Sequence, residues 1–82
     1  MDFAIILTTA SAVEEGRSIA NTLVEKQLAA CVNIIPKISS VYRWEGKIQS
    51  ETEVLLLIKT TKDLEAEVYR EVQAVHSYDT PE

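Results

Sequence analysis

The spacing of apolar positions along this chain switches between two periods, and each switch marks an element. Phe3 to Leu7 is apolar on both parities, with Phe3, Ile5 and Leu7 on one face and Ala4 and Ile6 on the other. Such a run predicts a strand covered on both faces, usually central in its sheet. Residues 11–29 then take helical spacing. Val13, Ala20, Leu23, Val24 and Leu28 form the apolar stripe, and Glu15, Arg17, Glu25 and Lys26 fill the other face. Ser11 and Glu14 stand three apart, as in a capping box, where each side chain accepts a hydrogen bond from a free backbone N–H. Gly16, inside this helix, costs about 1 kcal/mol relative to Ala. Close packing on a sheet is one reason for its presence.

Residues 31–44 and 47–60 return to a period of two around Glu45-Gly46, a two-residue turn signal. On the second arm Ile48, Thr52, Val54, Leu56 and Ile58 share one parity, with Glu51, Glu53 and Lys59 on the other. On the first arm Val32, Ile34 and Ile38 share a parity that Val41 breaks, so the register must shift between them. Pro36, which has no N–H, predicts a bulge or an edge there. Each arm of about 13 residues spans roughly 43 Å, whereas the first strand spans about 23 Å. An overhang of that kind leaves long exposed edges, and pairing with another copy of the chain is the simplest cover. A homo-oligomer is therefore expected. A second helix follows, with Leu64, Val68, Val72 and Val75 on one stripe, Thr60 or Thr61 as N-cap and His76 at or just past its end.

The order β-α-β-β-α is the ferredoxin-like split pattern of an α+β domain. It calls for one more strand, beginning after the final "HSYDTPE" and pairing with the first strand. The expectation is one domain over residues 1–82, cut short at its C-terminus.

Charge and composition narrow the classes. Thirteen acidic and eight basic residues give a net charge of −5, and the basic ones are scattered, which disfavours nucleic acid as a partner. The N-terminal apolar run is too short for a signal peptide or membrane span. One cysteine suits a reducing compartment, so a cytoplasmic protein is expected.

The segments "LAACVNIIP", "YRWEGKIQSETEVLLLIKTT" and "HSYDTPE", in this order and spacing, resemble the CutA family of divalent-cation tolerance proteins. The resemblance covers essentially the whole chain. It implies a ferredoxin-like subunit in a homotrimer similar in architecture to the PII signalling proteins, and a link to copper or another divalent cation. It also implies a copper site built from a cysteine near the end of the first strand and paired histidines before the tail. Here Thr8 stands at the cysteine position and Val75 at that of one histidine, while His76 is kept.

His76 and Cys31 are accordingly the candidate metal ligands. The ordinary account of His76 is a helix C-terminus favoured by the dipole, since copper and zinc sites recruit two to four N or S ligands. The ordinary account of Cys31 is packing. Asp79 and Glu82 read best as parts of a turn that redirects the chain. Tyr42, Arg43 and Trp44 at the hairpin tip suit a subunit contact. Lys59 to Lys62 suggests an anion site less than ordinary capping. No nucleophile–base pairing can be read, so the protein is expected not to be an enzyme. Two functions stand side by side: a metal-response protein, and a trimeric scaffold binding a small anion or a protein between subunits.

Overall fold

The hairpin dominates the architecture. In a computed structural model, which describes residues 2–75, strand β2 (Cys31–Trp44) turns at Glu45-Gly46 into strand β3 (Lys47–Thr61). Both turn residues have positive φ, at 50° and 78°, as a type I′ hairpin turn requires. Strand β1 (Phe3–Ala10) lies antiparallel on the other side of β3, giving the order β1-β3-β2. Helices α1 (Val13–Glu25) and α2 (Glu65–Val75) cover one face, with a 3₁₀ turn at Lys62–Leu64 between β3 and α2. This is the expected α+β, ferredoxin-like β-α-β-β-α arrangement. The fourth strand and its lead-in fall outside the described residues.

The core follows the β3 parity. Val54, Leu56, Ile58 and Thr60 are buried, and Ile6, Thr8 and Ala10 of β1 share their face through the pairs Ile6↔Ile58, Thr8↔Leu56 and Ala10↔Val54. Ile19 and Leu23 of α1 and Val68 and Val72 of α2 close over them. Gly16 is buried because α1 approaches the sheet closely. A Cβ there would lie 3.2 Å from Leu56 Cδ2 and 3.5 Å from Val54 Cγ1.

Pro36 marks a bulge, as expected. Ile35 faces Leu55 and Ile38 faces Glu53, so two residues of β2 span the single Val54 of β3. Lys37 takes the left-handed conformation, with φ at 61°, to make room. The extra residue exchanges the faces. Val41 opposite Ser50 thereby continues the face of Val32 and Ile34, and Ile38 moves to the opposite one. Beyond the bulge the hairpin runs past β1, whose pairing stops at Val54, and the domain reaches 42 Å along its longest axis.

Several expectations need correction. Within the described sheet the first strand pairs with β3 alone, and the fourth strand expected on its other side lies outside the described residues. The outer face of β1 is bare, with Phe3 79%, Ile5 63% and Leu7 55% exposed. Glu53 belongs to the polar parity yet is buried, opposite Ile38 beside the bulge. The cap of α1 is displaced by one residue. Helix α1 starts at Val13 behind the extended Ala12, so Glu15 rather than Glu14 reaches back. Its Oε1 accepts from the Ser11 N–H at 2.9 Å and the Ser11 hydroxyl at 3.1 Å. Val24 is exposed, Ile19 takes a core place, and Leu28 lies past the helix end. Neither Thr60 nor Thr61 caps a helix with its side chain, because β3 runs on to Thr61 and the Thr60 hydroxyl donates to the Leu28 carbonyl at 2.6 Å. On the α2 stripe Val68 and Val72 are buried and Leu64 half-buried, while Val75 is exposed.

The end of α1 explains Leu28. The Leu28 N–H donates to the Leu23 carbonyl at 2.9 Å and the Gln27 N–H to the Val24 carbonyl at 3.1 Å. Gln27 has φ at 59°. Together these form a Schellman motif, with Leu28 and Leu23 as its apolar contact. A residue with a Cβ occupies the left-handed position that glycine holds without strain. Gln27→Gly is therefore expected to stabilise the fold by about 0.5–1 kcal/mol, read as a higher urea midpoint with an unchanged slope.

Candidate metal site and the open sheet face

Cys31 opens β2 directly opposite Lys59, and the preceding Ala30 N–H donates to the Lys59 carbonyl at 2.9 Å. Lys59 lies between the buried Ile58 and Thr60, so it points away from the helices, and Cys31 shares that outer face. Cys31 is exposed in the single chain, so it is not packed into the core beneath the helices. Thr8, at the position of the family cysteine, takes the opposite face. It is buried beneath the helices, and its hydroxyl makes no hydrogen bond among the described residues. Cys31 and Thr8 are thus separated by the sheet itself.

Helix α2 packs on the helix side through Val68 and Val72 and ends at the exposed Val75. His76, Asp79 and Glu82 lie outside the described residues. Among the described residues no three or more His, Cys, Asp or Glu side chains gather in a way that would hold a metal ion.

The remaining sequence candidates fall as follows. Trp44 and Arg43 are exposed at the hairpin tip and Tyr42 is half-buried. At the "KTTK" segment the Lys62 N–H donates to the Asp2 carbonyl at 3.1 Å and Thr60 is occupied by Leu28. That segment is a strand end rather than an anion cradle.

The surface that the sequence reading missed is the outer face of the sheet. Phe3, Ile5, Leu7 and Ile35 are exposed there, with Leu55 and Leu57 half-buried among them. Its signal was present in the both-parity apolar runs of β1 and β3. At the lower end of this face a cavity of about 690 Å³ opens between β1 and the loop after α1, walled by Phe3, Ile5, Val24, Leu28 and Leu64, with Lys59 and Cys31 also lining it.

Fold and face together define a class: a split β-α-β subunit with an overlong hairpin, an unpartnered apolar sheet face and no catalytic constellation among the described residues. The model of the "CutA1 divalent ion tolerance protein" family matches residues 4–82, and the chain belongs to this family. It is 53% identical over 76 residues to the divalent-cation tolerance protein CutA of Archaeoglobus fulgidus, which covers 93% of this chain and 74% of that protein. It is 49% identical over 78 residues to the chloroplastic protein CutA of Arabidopsis thaliana, covering 95% of this chain but 43% of the plant protein. The chain thus spans less than half the length of that relative. The solved structure of the divalent cation tolerance protein Cut A1 from Thermus thermophilus superposes with a TM-score of 0.94 at 44% identity, over 98% of this chain and 78% of that one.

Proposed function

We propose that the chain acts in divalent-cation tolerance as a homotrimer, with copper the first candidate ion and His76 and Cys31 as ligands. The observation that carries the assembly is the bare outer face, where Phe3, Ile5 and Leu7 of one short strand are all more than half exposed. A contiguous apolar surface of this kind marks a contact surface. The exposed Val41, Trp44 and Ile48 on the overhanging hairpin extend the need for cover to a second region. The number three comes from the family resemblance. The accessible Cys31 supports a soft-ligand role. Because it lies on the sheet face away from the helices, its partners in a site come most simply from a neighbouring copy. The single thiol supports a reducing compartment, and the cytoplasm is the proposed location.

Calorimetric titration of metal-free protein with copper(II), beside His76→Ala and Cys31→Ser, tests the ligand assignment. Saturable binding near one ion per chain, lost in either variant, is the expected result. Binding indifferent to both residues would remove them as ligands.

A second reading is favoured by the positions of Thr8 and Val75. With two ligand positions of the family site replaced, the chain suits a PII-like scaffold that binds a small anion or a protein partner between subunits. Its link to metals is then indirect.

A further inference from the structure

No further inference is drawn: the strongest candidate, the exposed apolar patch of Val41 and Ile48 on the overhanging hairpin, belongs to the subunit contact already proposed, and nothing in the structure shows what else would cover it.

Discussion

Under the proposed assembly, Ile5→Glu is expected to yield single chains that keep their fold. Ile5 lies mid-strand on the outer face, between the exposed Phe3 and Leu7 and directly across from Lys59. In one chain its side chain is mostly in water, so a carboxylate there meets solvent and a lysine, and β1 keeps its pairing with β3. In an assembly that covers this face, each copy must bury that charge. An unpaired buried carboxylate costs several kcal/mol, and the cost is repeated at every copy. Sedimentation equilibrium reads the outcome as mass, and circular dichroism reads whether the fold survives. An unchanged mass would show that the outer face is not where the copies meet.

Leu23→Ala should give the largest loss of stability of any single truncation in α1. Leu23 is fully buried, belongs to the core that includes Leu56, Ile58 and Val68, and is also the apolar anchor of the Schellman turn. Truncations of this kind cost about 2–5 kcal/mol. For a domain this small each kcal/mol moves the thermal midpoint by about 4–8 °C, so a drop of about 10 °C or more is expected. The neighbouring Val24→Ala, at an exposed position, should change stability by no more than about 0.5 kcal/mol. Urea titrations of both variants at one chain concentration separate the two cases. Equal losses would mean that α1 is rotated from the orientation described above.

The contrast between Leu23 and Val24 shows where sequence reasoning worked and where it stopped. A helical stripe written from spacing alone admitted both, and it passed over Ile19, which is buried. Only the approach of Gly16 to Leu56 and Val54 fixes which side of α1 faces the sheet, and that is a tertiary fact. The hairpin was more legible, because its turn, its alternation and its bulge are local events. Pro36 and the parity break at Val41 located the register shift that Ile35 and Ile38 display. Strand β1 misled for a physical reason. An apolar run on both parities predicts cover on both faces, but it does not say whether the same chain supplies it. The site was the least legible part. Cys31 was placed correctly at the start of β2, yet its side of the sheet depends on register. The cavity is assembled from β1, the loop after α1, β3 and the 3₁₀ turn, which no short motif joins.

The one-residue bulge at Pro36-Lys37 sets the angle at which the overhanging hairpin leaves the sheet. Losing a single codon between Ile35 and Ile38 would leave the turn and the inner half of the sheet in place. The pairings of the outer half would survive as well, Ile38 opposite Glu53 and Val41 opposite Ser50, but the bend and added twist that the bulge gives β2 would be lost. A substitution at Lys37 changes one side chain, but a deletion there changes the direction in which the whole overhang leaves the sheet. The left-handed φ of 61° at Lys37 favours Gly, Asn or Asp there and disfavours β-branched residues, so the bulge constrains the identity of that residue as well as the direction of the overhang.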